Sequence, residues 1–274
     1  MKKNLIFLML LLSTITIFSK VNVKPLNICT TKLERMPQRI GNTLYFVANN
    51  YDIYESQFEN GKWNNPKKVN GEVNTSANEI NPHVIINNGK KIMYFARYTD
   101  SDTNYDFYRA EFDENKNIWK NVQTVNELNT KAQEWDIWVN QDETLAYFTS
   151  AGEYEGSKSK GGRDIWKSEK KNGKWCTPVN VSKLNDEGNQ WSVFVDEFEN
   201  IYFDSARSDA LGGYDIYVYL KQKDEIKHLS RDINSFYDDR AMSVYENKIY
   251  FTTKDRSNGP GFYDIYEGDL SGGF

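Results

Sequence analysis

The pair Tyr202-Phe203 and the tetrad Tyr214-Asp215-Ile216-Tyr217 make up a unit that this 274-residue chain repeats five times. The other pairs are Tyr45-Phe46, Tyr94-Phe95, Tyr147-Phe148 and Tyr250-Phe251. The other tetrads are Tyr51-Asp52-Ile53-Tyr54, Tyr105-Asp106-Phe107-Tyr108, Arg163-Asp164-Ile165-Trp166 and Tyr263-Asp264-Ile265-Tyr266. Successive tetrad aspartates lie 54, 58, 51 and 49 residues apart. This period is typical of propeller blades and too long for most solenoid repeats.

Each repeat predicts four strands. In the second repeat, an inner strand at Pro82–Ile86 turns at Asn88-Gly89 and returns through Ile92–Phe95. The tetrad strand follows, and an outer strand comes after turns such as Asn172-Gly173. Asn-Gly between apolar residues is a strong hairpin signal, and four strands per repeat is the propeller blade. We therefore predict an all-β, five-bladed β-propeller of four-stranded antiparallel blades.

The two ends of the chain predict how the ring closes. The fifth repeat stops near Leu270 with three strands, whereas Val23–Leu26 precedes the first repeat as Ile226–Leu229 precedes the fifth. We predict that the N-terminal strand completes the last blade, which removes an exposed sheet edge. The expected domain is residues 20–274, with blades at about 33–70, 78–125, 133–182, 188–230 and 236–270 and a closing strand at 22–28.

The N-terminus predicts export. Lys2-Lys3 precedes an apolar run from Leu5 to Phe18, which is too short to span a bilayer and suits a signal peptide at residues 1–19. The expected address is the periplasm or the cell surface, with no transmembrane span after cleavage. An uncleaved anchor is the alternative. Cys29 is not expected to be lipidated, because cleavage there would delete the closing strand.

Composition limits the possible partners. A formal net charge of −5 with mixed signs gives no basic stripe, so nucleic acid is not expected. The two histidines, His83 and His228, have no zinc spacing, and neither a metal nor a cofactor is expected. Cys29 and Cys176 should lie across the ring from one another as unpaired thiols. We expect a monomer.

Three sequence units carry a family resemblance. Gly212–Tyr217, Asn172–Pro178 and Leu128-Asn129-Thr130 leading to Gln133-Glu134 look like the WD40-like propeller repeat called PD40. That family resembles the propeller of the TolB periplasmic protein, and its members are mostly exported binding or scaffold modules. The family's Ser-x-Asp-Gly turn is degraded in this chain, for example to Asn87-Asn88-Gly89. Cell-wall anchoring is therefore not carried over.

Two recurring features predict architecture rather than chemistry. The tetrad aspartates occur five times, whereas a catalytic group on the axis is needed once, so we expect them to accept hydrogen bonds from loop amides. Trp63, Trp119 and Trp175 recur at one outer-strand position and should be packing residues.

Binding is expected where the repeats differ, at the loops entering the inner strands. These entrances read Glu34-Arg35, Glu79-Ile80, Glu134-Trp135, Gln190-Trp191 and Asp239-Arg240. The candidate ligand-binding residues are Trp135, Trp191, Glu79, Glu134, Gln190, Asp239 and Arg240. Aromatic rings beside planar polar groups suit sugars or peptides. The alternative is that Trp135 and Trp191 only plug the channel.

Two functions follow from this site. The favoured prediction is a non-enzymatic module that binds a protein, peptide or glycan at the cell envelope. The alternative is a five-bladed propeller glycoside hydrolase with paired carboxyl groups in the central funnel. Its candidate catalytic residues are Glu79, Glu134, Asp136 and Asp239.

Overall fold

The computed structural model of the chain describes residues 21–99 and 104–270, and its regular structure is β throughout these residues. Five antiparallel sheets form the five predicted blades. The predicted signal peptide at residues 1–19 lies outside the described residues. In the described part of the chain, no helix is long and apolar enough to cross a membrane.

In blades 1 to 4 the strands follow one another in chain order from the inner to the outer edge. In blade 5 the outer strand comes from the beginning of the described chain. Blade 1 has β2 (Glu34–Ile40), β3 (Thr43–Ala48), β4 (Asp52–Glu59), β5 (Lys62–Trp63) and β6 (Lys67–Lys68). Blade 2 has β7 (Glu79–Asn87), β8 (Lys90–Thr99), β9 (Asn104–Asp113) and β10 (Ile118–Thr124). Blade 3 has β11 (Glu134–Val139), β12 (Leu145–Ser150), β13 (Asp164–Lys171), β14 (Lys174–Trp175) and β15 (Val179–Asn180). Blade 4 has β16 (Gln190–Val195), β17 (Ile201–Ser205), β18 (Asp215–Leu220) and β19 (Glu225–His228). Blade 5 has β20 (Asp239–Tyr245), β21 (Lys248–Lys254) and β22 (Tyr263–Asp269), with β1 (Lys24–Pro25) as its outer strand.

The closing strand confirms the predicted ring. Strand β1 pairs with β22, with Lys24 opposite Glu267 and Pro25 opposite Tyr266. A salt bridge of 3.2 Å joins Lys24 Nζ to Glu267 Oε1. The Leu26 amide extends the pairing by donating to a carbonyl of β22 at 2.9 Å. The last blade therefore holds the first residues of the domain, and the ring is shut.

The Asn-Gly pairs form the predicted hairpin turns. Both residues of Asn88-Gly89 have positive φ, at 49° and 77°, and Asn60-Gly61 and Asn172-Gly173 behave alike. Two consecutive positive φ angles define the turn whose twist matches the flanking strands.

The outer strands of blades 1 and 3 differ from the prediction. Each is divided into two short segments that pair separately with the tetrad strand. In blade 1, β5 and β6 both pair with β4, and in blade 3, β14 and β15 both pair with β13. Pro66 and Pro178 lie between the segments. A proline has no amide proton to donate to the ladder, so the strand is interrupted there.

The core lies between the blades, and the three outer-strand tryptophans belong to it. Trp63, Trp119 and Trp175 are buried, which confirms their packing role. The Trp119 ring meets Tyr45 of blade 1 edge-on, with centroids 6.1 Å apart, and Trp63 meets Tyr250 of blade 5 at 6.3 Å. Apolar packing between sheets therefore holds successive blades together.

In four of the five blades, an asparagine in the loop after the outer strand clamps the tetrad strand. Asn74 accepts from the Ile53 amide at 2.8 Å and donates to the Ile53 carbonyl at 2.9 Å. The other asparagine clamps are Asn129 on Phe107, Asn185 on Ile165 and Asn234 on Ile216.

The fifth clamp is a cysteine. Cys29 Sγ accepts from the Ile265 amide at 3.3 Å and donates to its carbonyl at 3.4 Å. Burial raises the Cys29 pKa to about 12. Cys29 is therefore a structural thiol at the junction of blades 5 and 1, whereas Cys176 follows β14 in blade 3; both are unpaired.

Three tetrad aspartates accept hydrogen bonds from loop amides, as predicted. Asp164 accepts from the amides of Lys160 and Gly161 at 2.5 and 3.1 Å. Asp215 and Asp264 accept from the preceding loop in the same way. In blade 1, Asp52 has a different partner and pairs with Lys68 at 2.7 Å.

Candidate functional site

The first residue of every inner strand closes a clasp with the loop before it. Glu79 accepts from the Thr75 amide at 3.2 Å and from the Thr75 hydroxyl at 2.6 Å, and Arg97 adds a salt bridge at 2.9 Å. The same clasp recurs as Glu34 with Thr30, Glu134 with Thr130 and Asp239 with Ser235. In blade 4 the direction is reversed, because Gln190 Nε2 donates to Asp186 Oδ1 at 2.8 Å. These bonds fix where each inner strand begins.

The clasps change how four predicted site residues are interpreted. Glu79, Glu134, Gln190 and Asp239 have no exposed surface. Glu79 and Glu134 have both carboxyl oxygens in the clasps, and Gln190 and Asp239 each engage one polar atom, so a ligand would have to break these bonds to reach the side chains. The structure therefore assigns these four side chains to the scaffold and leaves Asp136, Trp135, Trp191 and Arg240 as predicted residues near the axis.

The mouth of the channel is built from two sets of five equivalent residues. One set follows the clasp residues: Arg35, Ile80, Trp135, Trp191 and Arg240. The other opens the tetrads: Tyr51, Tyr105, Arg163, Tyr214 and Tyr263. Members of the two sets contact one another around the opening, and Ile80 is covered by its neighbours.

Aromatic rings form a continuous arc along blades 2 to 4. The centroids of Tyr105 and Trp135 are 5.0 Å apart, those of Trp135 and Trp191 4.6 Å, and those of Trp191 and Tyr214 5.7 Å, all edge to face. Both tryptophans are half-buried and line a small pocket at the mouth. They therefore narrow the opening and also leave ring surface facing the pocket.

Three arginines complete the mouth. The guanidinium carbon of Arg163 lies 4.7 Å from the centre of the Trp135 ring and 4.0 Å from that of Trp191. That of Arg240 lies 4.8 Å from Trp191 and 3.8 Å from Tyr214, and Arg35 covers Tyr51 at 4.5 Å. These are cation–π distances.

Below the mouth, every inner strand carries a register shift. The residue two positions after the clasp residue lies within this irregularity: Met36, Asn81, Asp136, Ser192 and Ala241. Met36, Asn81 and Ala241 have positive φ of 58°, 52° and 51°. A bulge re-aims side chains, and here it directs these five toward the channel, where they line two adjoining pockets.

Two carboxyl groups meet at β16 in this channel. Asp136 Oδ2 accepts from the Val193 amide at 2.9 Å. Asp204 Oδ1 accepts from the Ser192 hydroxyl and, at 3.1 Å, from the Ala241 amide. The two acids therefore bind adjacent residues of one strand, with Asp136 lining the lower pocket and Asp204 the upper.

Each acid is the exception at its repeat position. Asp136 stands where the other blades have Met36, Asn81, Ser192 and Ala241. Asp204 follows a Tyr-Phe pair, where the other blades have Val47, Ala96, Thr149 and Thr252. A threonine there is sufficient for the scaffold, since Thr252 accepts from the Met36 amide at 2.9 Å. The charge at position 204 is therefore not required by the fold.

Burial raises the pKa values of both carboxyl groups toward neutral pH. It raises the pKa of Asp136 to about 7, with the nearby Asp204 adding to the rise. It raises the pKa of Asp204 to about 6, against the opposing charge of Arg240. Asp204 is fully buried, and its Oδ2 has no hydrogen-bond partner among the described residues. Between these pKa values one acid is mostly protonated while the other is mostly ionised.

Two other groups of potential ligands have structural explanations. His83 lines the lower pocket, but its Nε2 lies 2.8 Å from the Val139 carbonyl and burial lowers its pKa to about 4, which marks a packed neutral imidazole. Cys29, Glu34 and Asp264 bring ligand atoms within 4.8 Å of one another. These three residues are the clamp, clasp and tetrad positions that recur in other blades, so their grouping follows from the repeat.

Sequence reasoning missed Asp204 and Arg163. Both could have been found as exceptions to the repeat, because Asp204 replaces a neutral residue after Tyr-Phe and Arg163 replaces the tyrosine that opens the other four tetrads.

Comparison with known proteins bears on the fold. No family model and no curated protein matches the chain. Among solved structures, it is similar to an endo-arabinase from Bacteroides thetaiotaomicron, with a TM-score of 0.60, 9% identity and coverage of 90% of this chain and 97% of the other. A family 117 glycoside hydrolase from Zobellia galactanivorans gives 0.57, 11% identity and coverage of 93% and 92%. An α-L-arabinofuranosidase from Lactobacillus brevis gives 0.53, 13% identity and coverage of 88% and 90%.

These comparisons correct the functional prediction. The favoured prediction, a non-enzymatic binding or scaffold module, is wrong, because the similar structures are glycoside hydrolases. The alternative prediction, a propeller glycoside hydrolase, is better supported. At these identities the similarity itself shows the fold, so the activity has to be argued from the site. The PD40 resemblance stays a prediction.

Proposed function

We propose that this protein hydrolyses a glycosidic bond in its central channel, with Asp136 and Asp204 as the carboxyl pair. The observation that carries the proposal is their convergence: each occurs once among five repeats, and both bind adjacent residues of β16. Glycoside hydrolysis commonly uses two carboxyl groups, one protonated to assist the leaving group and one ionised. The shared five-bladed fold of the arabinanases supports this proposal.

The pKa directions assign the roles. Asp136, with the higher pKa of about 7, is the general acid, and Asp204, at about 6, is the ionised partner. The tryptophans above them supply apolar ring faces for the sugar, and the channel walls exclude bulk water. Because the two acids interact, their apparent pKa values belong to the pair. We expect a bell-shaped pH dependence of kcat/KM with its optimum between about pH 6 and 7.

The test is the release of new reducing ends from a panel of arabinans, galactans, xylans and acidic glycans. The wild type should cleave at least one of them, and Asp136→Asn and Asp204→Asn should each reduce kcat by about 100-fold or more. Removing a positioned acid or base costs this order of rate.

Glu134→Gln is the matched control. Burial raises the Glu134 pKa to about 7 as well, but its carboxyl group binds Thr130 and Ser150 and does not line the channel. Absence of cleavage across the panel, or equal losses in the control and the channel variants, would contradict the proposal.

Export to the periplasm or cell surface, and a monomeric state, are parts of the same proposal. The basic and apolar residues at positions 2–18 support export. N-terminal sequencing of the protein from the producing cells should find a mature chain beginning near Lys20, and light scattering should give the mass of one chain.

A further inference from the structure

The mouth arginines have donors that the protein leaves unused. Arg163 is buried, with 7% of its surface exposed, and contacts the rings of Trp135 and Trp191, which line the pocket. Its Nη2 donates to Gln133 Oε1 at 3.0 Å. Its Nε has no partner among residues 21–99 and 104–270. The Nε atoms of Arg35 and Arg240 and the indole nitrogen of Trp191 are unpaired in the same sense. Buried donors without acceptors are costly. Three of these donors belong to residues that line one pocket, Arg35, Trp191 and Arg240, and together they indicate an absent ligand.

Other arginines of the propeller show what a structural role looks like. Arg97, Arg207 and Arg256 each lie over the aromatic rings of their own blade and donate to a loop carbonyl, those of Val73, Leu184 and Ile233. These bonds fix the loops at three blade junctions. In the part of the chain that the structure describes, the mouth arginines Arg163 and Arg240 donate to side chains and not to backbone carbonyls of the loops.

The charges at the mouth are only partly balanced. Arg163 and Arg240 pack against the same indole ring. The positive charge of Arg240 adds to burial in lowering the pKa values of Arg35 and Arg163. Burial is the main cause that lowers the pKa of Arg163, to about 10. Arg240 pairs with Asp238 at 2.8 Å and Asp204 lies beneath, but Arg35 and Arg163 have no salt bridge within the described residues. Collecting like charges in a poorly solvated pocket is unfavourable unless an anion joins them.

We propose that the mouth binds the acidic group, a carboxylate or a sulfate ester, of a glycan. The inference rests on the proposed function for the statement that the ligand is a glycan. Guanidinium groups present forked donors that match carboxylate and sulfate oxygens, and the indole nitrogen of Trp191 adds another donor. The rings of Trp135 and Trp191 pack against the apolar face of the same sugar.

The repeat itself supplies the test variant. Arg35→Ile removes a guanidinium group that lines the pocket and installs the residue that Ile80 provides at the same position of blade 2. The scaffold is therefore expected to accept it, and a thermal melt of the variant checks that it does. Arg231→Gln is the matched control, because Arg231 is exposed and does not line the pocket.

Calorimetric titration should use three glycan probes of equal length: a trigalacturonide, a sulfated galactotriose and neutral galactotriose. The wild type and the control should bind at least one acidic probe about 10-fold or more tightly than the neutral probe. Arg35→Ile should weaken the acidic probe by about 10- to 100-fold, which is the range expected for a charge-assisted hydrogen bond. The stronger of the two acidic probes identifies the group as carboxylate or sulfate.

Three outcomes would overturn the inference: neutral and acidic probes binding alike, no binding of either acidic probe, or an acidic preference that survives in Arg35→Ile. Binding is measured without turnover, so a catalytically inactive protein that prefers acidic probes supports this inference while contradicting the proposed hydrolysis. Conversely, cleavage of a neutral glycan without any acidic preference supports hydrolysis and removes this inference.

Discussion

Replacing Asp204 with threonine should stabilise the protein at neutral pH while removing its activity. The variant Asp204→Thr installs the residue that Thr149 and Thr252 provide in blades 3 and 5. A threonine hydroxyl at this position can still accept from the Ala241 amide, as Thr252 accepts from Met36. The change therefore keeps a scaffold bond and removes a buried charge.

The size of the effect follows from linkage. The Asp204 pKa rises from 3.8 to about 6 in the folded protein. At about 1.4 kcal/mol per pKa unit, this rise corresponds to a penalty of about 3 kcal/mol for ionising Asp204 in the fold. Below pH 3.8 the carboxyl group is neutral in both states and there is no penalty. As pH rises from 3.8 to 6 the unfolded chain loses its proton first, so the free energy of unfolding falls, and above pH 6 the penalty is constant.

The assay is urea unfolding of the wild type and Asp204→Thr between pH 4 and 8. The free energy of unfolding of the variant minus that of the wild type should increase by about 3 kcal/mol across this range. Hydrolysis should be lost in the same variant, since a site that gains stability on losing its acid is one held for function. Asp142→Asn, in an exposed turn, controls for general effects of charge removal. A difference that stays flat with pH would refute the reasoning.

Two further substitutions test the scaffold. Cys29→Asn should raise the free energy of unfolding by about 1 kcal/mol in urea, because asparagine makes better hydrogen bonds to Ile265 than the thiol does; Cys176→Asn, outside the clamp, should give no such gain, and equal effects of the two would contradict the clamp. Glu79→Ala should lower the free energy of unfolding by about 3–5 kcal/mol, because it leaves Arg97 and the Thr75 donors without their buried acceptor. Glu79→Gln should cost clearly less in the same urea titration, and an unaffected Glu79→Ala would show that the clasp does not stabilise the blade.

The sequence by itself determined the architecture. Strand periodicity, Asn-Gly turns and the recurring tetrad are local signals, and five copies of them leave few ways to bury their aromatic faces other than a ring. The closing strand could be predicted for the same reason, because Val23–Leu26 resembles the outer strand that the fifth repeat lacks.

Only the tertiary structure decided which carboxyl groups face the axis. Glu79 and Glu134 looked like funnel residues in the sequence, but a loop hydroxyl four residues earlier takes up each of them. Asp136 faces the channel because a register shift re-aims its strand, and Asp204 joins it from another blade. A one-residue shift in a strand reverses the face of every side chain beyond it, and such shifts leave no clear mark in a single sequence.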